Sequence, residues 1–152
     1  MKKNLTTLFL FLTIAFSSFC ESGIPIHIWK EIPSMKNQYS VMYMHAPKET
    51  STKRPAVIVC PGGSYHHLGI YNEGYKSAQW FSENGFVAFN LRYRTAEAGY
   101  HYPAMLQDIQ RAIQIVRENA EEFNIDASKV GIIGYSAGGH LVTMAGAFHK
   151  SH

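Results

Sequence analysis

The chain has 152 residues, 46% hydrophobic and 16% charged, which suits one folded domain and excludes a long disordered or low-complexity protein. Lys and Arg number 14 against 11 Asp and Glu, and without Lys2 and Lys3, which lie in a candidate leader, 12 face 11 for a net charge of +1. With no basic run longer than Lys53-Arg54, that balance excludes the electrostatic footprint of a nucleic-acid-binding protein.

Residues 1–20 carry a basic start at Lys2 and Lys3, an apolar run from Leu8 to Phe16 broken by Thr13, and then Ser17, Ser18 and Cys20. This pattern predicts an export leader over 1–20 and a folded domain over 21–152. It places the product in the periplasm, outside the cell, or lipid-anchored at the cell surface. The apolar run is too short to span a bilayer as a stable helix. Two cleavages are open: ordinary signal cleavage near Cys20, or cleavage before Cys20 with lipid on its thiol. Membrane attachment follows from the second alone. Cys60 is the remaining cysteine of the body, so no disulfide framework is possible, and its apolar surroundings predict a small core residue.

Ile24, Ile26 and Ile28 alternate, as do Tyr39, Val41 and Tyr43, so residues 24–32 and 39–46 read as half-exposed strands forming a hairpin. Pro55 to Cys60 is a continuous apolar run, expected of a strand buried on both faces. Pro61-Gly62-Gly63-Ser64 breaks it. A helix is predicted over residues 73–84, with Asn72 as N-cap and Gly85 just past its end. Phe86 to Leu91 is a further short strand. Leu106, Ile109, Ile113, Val116, Ala120 and Phe123 then mark one face of a helix after Pro103, with Asn124 as its stop. Residues 130–135 read as a buried strand and residues 137–148 as a helix rich in small residues. After the hairpin, strand and helix alternate, which predicts an α/β fold with a parallel sheet and crossover helices.

Gly134-Tyr135-Ser136-Ala137-Gly138 is a G-x-S-x-G pattern at the junction of that last strand and helix, the context of a nucleophile elbow. The geometry needs glycines at 134 and 138, because side chains there would collide with the neighbouring strand and helix. The helix N-terminus aims backbone N–H groups at the reacting centre. Pro61-Gly62-Gly63-Ser64-Tyr65 also follows an apolar strand. Acyl transfer builds a tetrahedral oxyanion that needs N–H donors already in place. The candidate donors are Gly63 or Ser64, joined by Ala137, with Ser136 as candidate nucleophile.

These segments, together with Asn84 to Arg94 and Tyr102 to Asp108, resemble secreted α/β-hydrolase-fold esterases of the group related to acetyl xylan and feruloyl esterases and the hormone-sensitive-lipase type. The likeness runs over residues 40–148. It implies the N-terminal portion of an α/β-hydrolase fold, Ser136 as nucleophile, and Gly63, Ser64 and Ala137 as the oxyanion hole. It also implies a carboxylesterase acting on a small-molecule or polysaccharide ester, with no cofactor. Two departures stand out: Pro61 where lipase relatives often have His, and Ser64 where many have a further Gly. Neither removes a backbone N–H from Gly62, Gly63 or Ser64.

In this fold the triad acid and histidine follow the nucleophile in the chain. The stretch from Ala137 to His152 holds no Asp or Glu. His140 is expected to pack or cap in the first turn of its helix rather than act as base. His66 and His67 are expected at a pocket mouth or in solvent, and their spacing with His45 or His101 suggests no metal site. Asp108 reads as a structural polar residue, and Tyr65, Tyr71 and Tyr100 as candidates to border a cleft. The alternatives are a prolyl-oligopeptidase-type peptidase, or a truncated product without turnover. The 152 residues alone are expected to be inactive or nearly so, and to expose residues 130–135 as an apolar edge. The sequence leaves the oligomeric state open.

Overall fold

The computed structural model describes residues 23–35 and 40–148. The leader expected over 1–20, and with it Cys20, lies outside these residues, as do His149 and His152. Five strands form one sheet: β1 (Ile24–His27), β2 (Val41–His45), β3 (Arg54–Cys60), β4 (Val87–Arg92) and β5 (Ile125–Gly134). Their spatial order is β1-β2-β4-β3-β5. The expected hairpin is present as the antiparallel pair β1–β2, and β2 is also antiparallel to β4. β4, β3 and β5 run parallel, with Ala56 opposite both Val87 and Val130.

Three α-helices accompany it among the described residues: α1 (Lys76–Glu83), α2 (Ala104–Glu118) and α3 (Ala137–Ala147). The alternation of β3 decides which face each one covers. Ala56, Ile58 and Cys60 join Phe89, Leu91, Leu106, Ile109, Val116 and Leu141 in the larger core, on the side of α2 and α3. Val57 and Val59 point the other way, to Ala78 of α1 and to Phe81 and Phe86. A sheet covered by helices on both faces must have strands apolar on both sides, which is why the run Ala56 to Cys60 is unbroken and buried.

Three expectations need correction. Asn72 caps no helix: it lies inside a wide π-helical turn, Ile70–Tyr75, and α1 begins at Lys76. The helix after Pro103 ends at Glu118, not near Asn124. Asn119 closes it, its Nδ2 donating to the Ile115 carbonyl at 2.8 Å. The apolar period ran on because the following turns still bury Ala120 and half-bury Phe123. Asn124, at φ 54°, turns the chain into β5 and donates to the Thr50 carbonyl at 2.6 Å. Finally, β5 is longer than residues 130–135 and only partly buried, because it pairs with β3 on one side and forms the sheet edge on the other among the described residues.

Candidate active site

Parallel pairing of β3 with β5, down to Cys60 opposite Gly134, delivers two segments to the same end of the sheet. One is the loop that begins at Pro61, and the other is the turn at Ser136. Crevices at the carboxyl ends of parallel strands are where open α/β sheets bind ligands.

At that turn Ser136 is exposed and takes φ 50°, ψ −118°, a left-handed setting rare for a non-glycine residue. The flanking glycines show why the chain can make it. A Cβ on Gly138 would stand 2.6 Å from the Pro61 carbonyl oxygen and closer still to that of Cys60. A Cβ on Gly134 would stand 2.6 Å from the Gly139 nitrogen. Helix α3 therefore starts directly against the ends of β3 and β5, and a side chain at Gly138 would push it off β3 while one at Gly134 would push it off β5. Tyr135 N–H donates to the Cys60 carbonyl at 3.1 Å, and Gly138 N–H to the Tyr135 carbonyl at 2.8 Å, closing the turn.

The facing loop is also left-handed, with Ser64 at φ 56° and Tyr65 at φ 59°. Gly63 has φ 134°, and a Cβ there would stand 2.7 Å from the His67 carbonyl carbon. Gly62 fits where no side chain would: its Cβ would lie 2.6 Å from the Tyr135 carbonyl oxygen and 3.0 Å from Ser136 Cβ. The structure thus brings Gly62 against Tyr135 and Ser136, and Pro61 against Gly138. The N–H groups of Gly63, Ser64 and Ala137 donate to no acceptor among the described residues.

The His140 ring meets Tyr65, its Nδ1 2.7 Å from the Tyr65 hydroxyl, while its backbone N–H donates to the Ser136 carbonyl at 3.0 Å. The two rings meet edge-on at 5.9 Å, linking α3 to the loop. Burial pushes the Tyr65 hydroxyl pKa up, and pushes that of Tyr93 up further. Tyr93, 1% exposed, donates to the Pro61 carbonyl at 2.7 Å. His66 and His67 are exposed. Tyr71 stacks on Tyr75, and Tyr100 lies over the Arg94 guanidinium. Cys60 is a fully buried free thiol whose pKa burial pushes up to about 12.

Asp108 is structural. It is fully buried and accepts from the Arg94 guanidinium at 2.8–3.0 Å, the Arg94 amide at 2.8 Å and Trp29 Nε1 at 2.7 Å. The sequence reading passed over Glu73, whose Oε2 accepts the Gly62 N–H at 2.7 Å. A carboxylate on a helix carries no signal by itself that it reaches a loop eleven residues earlier. A groove of about 900 Å³ is lined by Trp29, Arg111, Ile113, Val130 and Ile132 among others, and its lining includes neither Ser136 nor the facing loop.

Sheet order, crossovers and the strand–turn–helix at Ser136 define an α/β-hydrolase. The chain belongs to the BD-FAE family of esterases, whose model matches residues 42–152. It is similar to an acetylxylan esterase of Xylanibacter ruminicola, 37% identical over 86 residues, 57% of this chain and 18% of that protein. It is also similar to endo-1,4-beta-xylanase B of Butyrivibrio fibrisolvens, 37% identical over 102 residues, 65% of this chain and 15% of that protein. Among solved structures, an acetyl ester-xyloside bifunctional hydrolase from Caldicellulosiruptor lactoaceticus superposes with TM-score 0.71 at 34% identity, over 80% of this chain and 46% of that one. The chain therefore spans less than a fifth of those two curated relatives and less than half of the solved structure.

Proposed function

We propose that this chain carries the nucleophile and oxyanion side of a serine carboxylesterase acting on acyl esters, with acetyl or feruloyl groups of plant polysaccharide as the substrate class. The observation that carries the reading is Ser136 itself: exposed, held at φ 50° between two glycines that admit no side chain, against a loop with free amides. Ser136 Oγ attacks the ester carbonyl and gives its proton to a base, and the carbonyl oxygen becomes an oxyanion. The amides of Gly63, Ser64 and Ala137 are the donors that stabilise it. Collapse expels the alcohol and leaves an acyl-Ser136, which water hydrolyses to the free acid and the restored serine. The similarity to proteins named for xylan supports the substrate class. The basic start and apolar run of residues 1–20 support an exported product.

The test is turnover of p-nitrophenyl acetate and release of acetate from acetylated xylan by the full-length gene product. Ser136→Ala is expected to lower kcat on the order of 10⁶-fold, as loss of a serine nucleophile does elsewhere. Undiminished turnover in that variant overturns the assignment.

A further inference from the structure

The backbone beside Ser136 can be accounted for group by group. The Pro61 carbonyl accepts from the Tyr93 hydroxyl at 2.7 Å. The Gly62 carbonyl accepts from Gly69 N–H at 2.9 Å, and the Gly63 carbonyl from His66 and His67 N–H at 3.0 and 3.1 Å. The Gly62 N–H goes to Glu73 Oε2 at 2.7 Å. That leaves Gly62 unable to donate to a substrate, while the next two amides point to no protein acceptor among the described residues.

Glu73 is held for this contact by the shape of its own turn. Its N–H and that of Gly74 both bond to the Gly69 carbonyl, at 3.0 and 3.3 Å, in the wide turn that precedes α1. π-type turns of this kind recur at functional sites. Gly74 presses the turn onto β4, since a Cβ there would stand 2.9 Å from Asn90 Cγ. A Cβ on Gly69 would stand 2.9 Å from Glu73 Oε2, so the carboxylate also fills the space over that glycine. The position of a Gly62 Cβ lies 3.0 Å from Glu73 Oε2 and 3.0 Å from Ser136 Cβ, and these two legs bound their separation at 6.0 Å.

We propose that Glu73 is a positioning residue for the oxyanion loop. Its carboxylate takes the Gly62 amide in a charge-assisted hydrogen bond. This fixes the loop so that Gly63 and Ser64, and not Gly62, present their N–H groups to the substrate carbonyl. The assignment rests on the acyl-transfer reading above. A displacement near 1 Å at such donors is enough to cost about 10²-fold in rate.

Two variants of the full-length gene product separate reach from charge. Glu73→Gln keeps an oxygen at the same distance and loses the charge; Glu73→Asp keeps the charge and draws the oxygens back by one methylene. Both are expected to melt cooperatively. Glu73→Asp is expected to lower kcat for p-nitrophenyl acetate about thirtyfold with KM within about twofold, and Glu73→Gln to lose no more than about fivefold. Equal losses, a larger loss in Glu73→Gln, or an effect on KM alone overturns the proposal. Hydrogen exchange at the Gly62 amide reads the tie without turnover: protection is expected to persist in Glu73→Gln and to fall in Glu73→Asp. If the wild type hydrolyses no ester while Gly62 follows that pattern, the acyl-transfer reading falls, taking the oxyanion role of Glu73 with it. If turnover is normal and Gly62 exchanges alike in all three proteins, the tie to Glu73 falls and the acyl-transfer reading stands.

Discussion

Ser64, Tyr65 and Ser136 share a left-handed backbone, and all three sit where two adjacent parallel strands end. Each such residue stores strain that the surrounding structure must over-determine. Here the close approach of Gly134 and Gly138 to their neighbours does so for Ser136, and the carbonyl bonds of Gly62 and Gly63 do so for the loop. A different single-residue tension lies at His45 on β2. It is 7% exposed, packs edge-on against Tyr75 at 5.5 Å, and its Nε2 has no hydrogen-bond partner among the described residues. Burial disfavours the charged ring and lowers its pKa below the ordinary 6.5. The unfolded chain therefore binds a proton here more readily than the folded one. The contribution of His45 to stability is complete above pH 6.5 and is lost as the pH falls from there toward the lower folded value. Urea unfolding is expected to show a lower midpoint at pH 5 than at pH 7.5, and His45→Phe to flatten that difference. An unchanged pH dependence in the variant would show that other groups carry it.

At the scale of elements, α2 is bound to the rest of the protein by two different devices. Its apolar face buries Leu106, Ile109, Ala112 and Val116 against the sheet. Its polar exception is Asp108, whose carboxylate gathers the side chain and amide of Arg94, just after β4, and the indole of Trp29, just after β1. The Arg94 guanidinium also donates to the Ala104 carbonyl at 3.0 Å and lies 5.4 Å from the rings of Trp29 and of Tyr100. Removing one member of a buried ion pair leaves the other charge unpaired in a dry site, which costs about 3–5 kcal/mol. Asp108→Ala is expected to destabilise by that amount in denaturant titration. A loss below about 1 kcal/mol, the range of exposed pairs, would mean that water reaches Arg94. The apolar face of α2 was readable from a spacing of three and four residues. The partners of Asp108 were not, because they lie fourteen and seventy-nine residues away in the chain. The π-helical turn before α1 was likewise hidden. Its residues have no distinctive period, and Gly74 is required there by the side chain of Asn90 from another strand.

For the molecule as a whole, the sheet places β5 at one end of the strand order, with Val130, Ile132 and Ile133 only half-buried. An apolar strand whose outer edge has no partner among the described residues is a template for pairing with another chain. The 152-residue polypeptide is expected to self-associate, eluting in gel filtration above its 17.1 kDa and shifting further with concentration. Replacing Ile132 with Lys is expected to reduce that association, and a monodisperse monomer at millimolar concentration would rule it out. By itself the sequence determined the fold class, the strands β3 and β4, the helix α3 and the Gly134-to-Gly138 turn. Those features rest on local physics: apolar runs, helical spacing and glycines flanking a serine all act within a few residues. Tertiary structure alone decided that Gly62 gives its amide to Glu73, that His140 turns to Tyr65, and that Arg94 and Trp29 converge on Asp108. Each of these depends on the register and order of strands far apart in the chain, and no local pattern of side chains encodes that order.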